Sequence, residues 1–249
     1  MKLFITAFPG AFTQAVKKKY VPSRLIKAQN CFRHVQQCRR SIMFIGKNTA
    51  PDFRMESRTQ QAKVNPSWVS LGSVLGYGSL NVVAFEMSKA FHVDFTSYIQ
   101  ADDTDIFIGV LSFPVLLASV FATRSVQDEL KKAGKLLKDL QISQMFLVAL
   151  SAGWTEEFLC RGVLQPAFSD WWGWPSGLAL SSVLFGLGHP LSPQYIVWTT
   201  LAGAYMGVIC VLRHNILAPA IMHTLFDFII LSYYVSKARY DDDKPSVLN

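Results

Sequence analysis

The stretch SQMFLVALSAGWTEEFLCRGVLQ (Ser143–Gln165) sets three ionisable groups, Glu156, Glu157 and Arg161, in an apolar run long enough to cross a bilayer. In hydrocarbon a charged side chain is costly unless it is paired or lines a wet cavity. Successive helical residues point about 100° apart, so the two adjacent carboxylates cannot face the same way. Glu157 and Arg161 stand at i, i+4 and can pair. Glu156 then points elsewhere, toward a cavity. The stretch reads as a membrane helix that separates a structural ion pair from a free carboxylate.

Working outward, similar apolar runs occupy Trp68–Phe91, Ile106–Ala122, Trp171–His189, Tyr195–Leu212 and Ile216–Val235. Arg124–Gln141 is a charged, amphipathic helical link between them. The expected fold is all-α: a polytopic membrane bundle of about six spanning helices in residues 64–240, with a polar tail over 241–249. Trp171, Trp172 and Trp174 cluster at one helix start, as in an interfacial belt. Gly203 and Gly207 form a small-xxx-small pair that permits close helix packing. The chain is 51% hydrophobic and 16% charged. Soluble domains carry about 25% charged residues, and a soluble helical bundle would lack the polar surface to cover these runs.

The net charge of +7 is unevenly placed. Residues 1–63 hold 13 Lys/Arg against two acids, Asp52 and Glu56, whereas 64–249 hold 11 Lys/Arg against 15 acids. The basic excess therefore belongs to an N-terminal extension. Nucleic-acid binding would need a basic face on a folded surface, so no nucleic-acid partner is expected. Residues 1–63, acid-poor and interrupted by Pro9 and Gly10, read as an organelle transit peptide; the alternative is a basic tail drawn to anionic lipid. None of Cys31, Cys38, Cys160 and Cys210 is in C-x-x-C spacing. Cys160 and Cys210, inside apolar runs, read as small core residues.

Two histidines complete the set. His189 closes the run Phe185-Gly186-Leu187-Gly188-His189, where an imidazole is a candidate proton acceptor or metal ligand. His223 and Asp227 stand at i, i+4 on the last helix and share a face. A common interior site satisfies Glu156, Glu157, Arg161, His189, His223 and Asp227 together, whereas scattered placement needs a separate partner for each.

In order, Glu156-Glu157…Arg161, Phe185…His189 and His223…Asp227 resemble the three motifs of the CPBP (CAAX-protease-like) intramembrane proteases. Arg161-Gly162-Val163-Leu164-Gln165, Phe185-Gly186-Leu187-Gly188-His189, Gly203…Gly207 and Asn215-Ile216-Leu217-Ala218-Pro219 are similar to that family's flanking sequences. The likeness covers about 143–228 and is closest to bacterial and organellar members. It implies an intramembrane endopeptidase acting on a membrane protein or peptide substrate in the lipid bilayer. Glu156 and His189 would activate water, and His223 and Asp227 would face the oxyanion. Glu157 and Arg161 would support the site, and Phe185 would pack against it. It also implies that a metal is optional, with zinc the named ion and Glu156, His189 and His223 its ligands.

Asp227 departs from the Asn common at that position and can donate a hydrogen bond only if protonated. The competing class is an inactive family-like scaffold that stabilises partner proteins in an organelle membrane. A transporter would also place charges in its bundle, but no internal repeat is visible. By analogy with such relatives the expected location is a plastid membrane, with a mitochondrial or other endomembrane as the alternative.

Overall fold

The computed structural model describes residues 65–243. The expected transit peptide lies outside the described residues, as does the end of the tail. Among the described residues all regular structure is helical. Helix α1 spans Pro66–Phe91 and α2 Asp103–Ala122, with a short 3₁₀ turn at Phe95–Tyr98 between them. Next come α3 (Arg124–Leu136), α4 (Ile142–Glu157), a π-helical segment (Phe158–Leu164), α5 (Gln165–Trp172), α6 (Trp174–Gly188), α7 (Pro193–Arg213) and α8 (Leu217–Asp243).

Local chemistry starts and stops these helices. Asn65 Oδ1 accepts the Ser67 N–H at 2.9 Å, Pro66 takes the first helical position, and His92, in the left-handed region, ends α1. Asp102 caps α2 through the Thr104 N–H at 2.8 Å. Ser192 caps α7, again followed by Pro.

Four helices, α1, α2, α7 and α8, are long and apolar enough to cross a membrane. The two other expected spans take a different form. Ser143–Gln165 becomes α4, the π segment and α5 in unbroken succession, while α6 has only 15 residues. The tryptophans do not share one helix start: Trp171 and Trp172 end α5, Gly173 turns the chain at φ +84°, and Trp174 begins α6 with Pro175. Helix α8 continues through Asp241, Asp242 and Asp243, the first residues of the polar tail. Asp242 pairs there with Lys138, and Arg239 bonds the carbonyls of Lys138 and Leu140.

Helix α8 is the hub, packing against α2, α3, α4 and α7. Over half of its most apolar window is buried, 56%, against 6% for α1. Large apolar side chains such as Leu75, Val82, Phe107, Leu111, Leu201 and Leu212 remain on the outside. An exterior of this kind is stable against lipid rather than water, so the chain is a multi-pass helical membrane protein. Helix α3 differs: Lys131–Asp128 and Lys132–Glu129 pairs lie on its outer side, while Val126 is fully buried. Gly134 lets it lie directly on α8, since a Cβ there would meet the Tyr234 carbonyl oxygen at 2.6 Å.

Candidate active site

The site is built around the π segment. Pro166 has no N–H to offer the carbonyl four residues back and would clash with it, so an ordinary α-helix cannot pass through this point unchanged. The chain takes π register instead: the Gln165 N–H bonds the Cys160 carbonyl, five residues earlier. Such segments are frequent at functional sites. This one presents Arg161 and Gln165 to α7. Arg161 Nη2 donates to the Gly203 carbonyl at 2.6 Å, and Gln165 Nε2 donates to the Gly207 carbonyl at 3.0 Å. The Gly203/Gly207 pair thus exposes backbone acceptors to polar side chains. A Cβ on Gly203 would stand 3.2 Å from Arg161 Nη2.

Arg161 Nη1 also donates to Glu157 Oε1 at 2.7 Å, and both side chains are fully buried. The same oxygen lies 3.0 Å from His223 Nδ1. His223 Nε2 in turn faces Asp227 Oδ2 at 3.5 Å. His223 therefore stands between two carboxylates and offers an N–H to each when both ring nitrogens carry hydrogen. Close approach of α4 and α8 makes this chain of contacts. A Cβ on Gly153 would lie 2.4 Å from Thr224 Oγ1 and 2.7 Å from the Thr224 backbone nitrogen.

Glu156 turns away from that chain of contacts, as the helical geometry requires. Its Oε2 is buried without a hydrogen-bond partner and lies 3.5 Å from His189 Nε2. His189 is not deep in a helix; it caps the C-terminus of α6 and is partly exposed. The Phe185 carbonyl fixes its other ring nitrogen at 2.8 Å. Phe185 sits at the centre, its ring 4.8 Å from that of His189, 5.7 Å from that of His223 and 4.7 Å below the Arg161 guanidinium. Glu156, Glu157, Arg161, Phe185, His189, His223 and Asp227 are thus brought into one connected cluster.

The three residues expected to hold zinc do not converge as ligands. Both nitrogens of His223 are turned to carboxylates, leaving only Glu156 and His189 facing one another. Zinc sites take at least three protein ligands directed at one point, and the described residues hold no such group of three.

Sequence reasoning missed two side chains from α1. Tyr77 donates its hydroxyl to Glu156 Oε1 at 3.3 Å, and Asn81 Nδ2 donates to Thr155 Oγ1 at 2.8 Å. Their signal was present: Ser73, Tyr77, Asn81 and Ser88 form a polar stripe on a helix otherwise rich in apolar residues.

The fold and site define a polytopic helical membrane protein with a partly buried Glu/His/Asp/Arg cluster. Residues 138–229, which hold all seven clustered residues, match the family model Rce1-like, type II CAAX prenyl endopeptidase. That match is consistent with a CPBP-family protease. No curated protein and no solved structure matches the chain.

Proposed function

We propose that the chain is an intramembrane endopeptidase in which Glu156 and His189 activate a water for attack on a peptide bond. The observation that carries this reading is the buried, unpartnered Glu156 Oε2 facing His189 Nε2. An unsatisfied carboxylate oxygen in an apolar bundle calls for a hydrogen-bonded water or substrate. Glu156 takes a proton from the water, whose oxygen attacks the scissile carbonyl carbon. The proton then passes to the departing amine as the C–N bond breaks. His189, oriented by the Phe185 carbonyl, holds the water. His223 and Asp227 face the developing oxyanion, and the Nε2–H, which lies 3.5 Å from Asp227 Oδ2 in the resting site, turns from that long contact to donate to it. Glu157 and Arg161 anchor His223 from its other side.

The family description suggests the first substrate to try: a quenched-fluorescent prenylated CAAX peptide. Glu156→Ala and His189→Ala are each expected to reduce its cleavage by about 10²-fold or more. Undiminished cleavage by both variants would remove the proposed chemistry. If Glu156→Ala instead complements a loss-of-function strain fully, the scaffold role takes its place. The basic residues 1–63 support targeting to an organelle, plastid before mitochondrion, which a fluorescent fusion of the full chain would test.

A further inference from the structure

The segment that matches the family model begins at residue 138, so it leaves out α1. Yet α1 is built like a wall of the site. Its outer face carries Leu71, Val74, Leu75, Val82 and Phe85, all exposed, and its inner face carries Tyr77 and Asn81. The first half of this helix packs lightly, since an added Cβ at Gly72, Gly76 or Gly78 would meet nothing within 4 Å, whereas Ala84, Met87 and Ser88 are buried in its last turns. A membrane helix that turns polar groups inward while packing so lightly keeps them for something other than packing.

Two details say what. The Tyr77 hydroxyl donates to Oε1 of Glu156, leaving Oε2 as the oxygen that faces His189. Asn81 spends its amide N–H on Thr155, the residue before Glu156, while its Oδ1 is buried with no hydrogen-bond partner. Two buried, unsatisfied oxygens, Asn81 Oδ1 and Glu156 Oε2, thus lie where α1 meets α4, Asn81 being bonded to the residue that precedes Glu156. Each needs a donor. Water on Glu156 supplies one. The backbone N–H of an extended peptide supplies the other, since a substrate strand entering a bundle carries N–H groups that must be satisfied.

Resting on the protease reading above, we infer that α1 completes the reaction centre: Tyr77 is a positioning residue that fixes which oxygen of Glu156 acts as base, and Asn81 Oδ1 binds a backbone N–H of the peptide substrate. The 3.3 Å Tyr77–Glu156 contact is long for O–H···O and has room to tighten when substrate is bound.

The test uses the full chain in detergent or vesicles and the same prenylated CAAX peptide. Tyr77→Phe keeps the ring and removes only the hydroxyl; it is expected to lower kcat about tenfold, the worth of one hydrogen bond, with KM unchanged. Asn81→Ala is expected to raise KM about tenfold with kcat preserved. It should weaken binding of the peptide to a non-cleaving Glu156→Gln protein equally. Ser79→Ala, on the exposed side of α1, should match the wild type. A protein-only arm follows labelling of Glu156 by a hydrophobic carbodiimide, which Tyr77→Phe should accelerate severalfold.

Wild-type kinetics and labelling in both α1 variants, with Glu156→Ala inactive, would overturn the role of α1 and leave the protease reading standing. Activity losses that merely track a lowered melting temperature would do the same. Wild-type cleavage by Glu156→Ala, or neither cleavage nor binding of the peptide by the wild-type chain, would overturn both.

Discussion

Glu157 Oε1 receives two donors at once, Arg161 Nη1 at 2.7 Å and His223 Nδ1 at 3.0 Å, and so ties the π segment to the last helix. The Glu157–Arg161 pair is fully buried, so its members depend on each other more than on the solvent. Removing one partner of a buried pair strands a charge and costs about 3–5 kcal/mol, whereas replacing both by apolar groups is often close to neutral. Arg161→Leu is therefore expected to destabilise strongly, and Glu157→Leu/Arg161→Leu to recover much of that loss. Thermal unfolding in detergent measures both. The double variant should be inactive, because His223 loses the Glu157 carboxylate that holds its Nδ1. A double variant no more stable than Arg161→Leu would contradict this account.

Glycines at helix crossings set the spacing of the site. Gly153→Ala would push a Cβ against the Thr224 backbone, which cannot swing aside. Overpacking of this kind costs about 1–3 kcal/mol. The variant should melt earlier and lose cleavage, as α4 and α8 separate between Glu157 and His223. Gly76→Ala, with nothing within 4 Å of its Cβ, is the counterpart. It should leave stability unchanged or raise it by up to about 1 kcal/mol through helix propensity.

Asp227 faces His223 with a carboxylate where the resembling family commonly has an amide. An Asn side chain can both accept from His223 and donate toward an oxyanion. Asp227→Asn is expected to keep activity within about tenfold of wild type, and Asp227→Leu to lose about 10²-fold. Steady-state cleavage compares the two; equal losses would show that Asp227 acts through volume alone.

At the N-cap of α2, hydrogen bonding from the Thr104 backbone N–H and side chain holds the Asp102 carboxyl below its ordinary value of 3.8, with Arg213 adding to the effect. A carboxylate lowered on folding contributes stability that is present above its unfolded value and is lost as pH falls through the folded one. The melting temperature should therefore drop as pH is taken below about 4, and Asp102→Ala should drop less steeply. An identical acid profile for the two proteins would exclude Asp102 as a contributor. Behind it, Asp105 is buried and held by Arg213 Nε and Asn215 Nδ2, both at 2.6 Å. This clamp fixes the start of α8 and hence the approach of His223.

Much of this architecture was legible in the sequence because bilayers impose strong one-dimensional rules. Apolar length marks helices, and charge within them marks a site. The divergence of Glu156 from Glu157, the pairing of Glu157 with Arg161 and the shared face of His223 and Asp227 all follow from helical periodicity. They needed no tertiary information. The break between Trp172 and Trp174 was less visible, since a single Gly between tryptophans gives no periodic signal.

What only the tertiary structure decided is which groups meet across helices. Nothing in the order of residues says that Glu157 bonds His223 sixty-six positions later, or that both nitrogens of His223 are engaged. Nor does it say that the Gly203 and Gly207 carbonyls receive Arg161 and Gln165, or that Tyr77 and Asn81 reach the site from α1. Periodicity assigns a side chain to a face of its own helix. Its partner is set by interhelical distance and rotation, which depend on the small residues at each crossing and on the π register around Pro166.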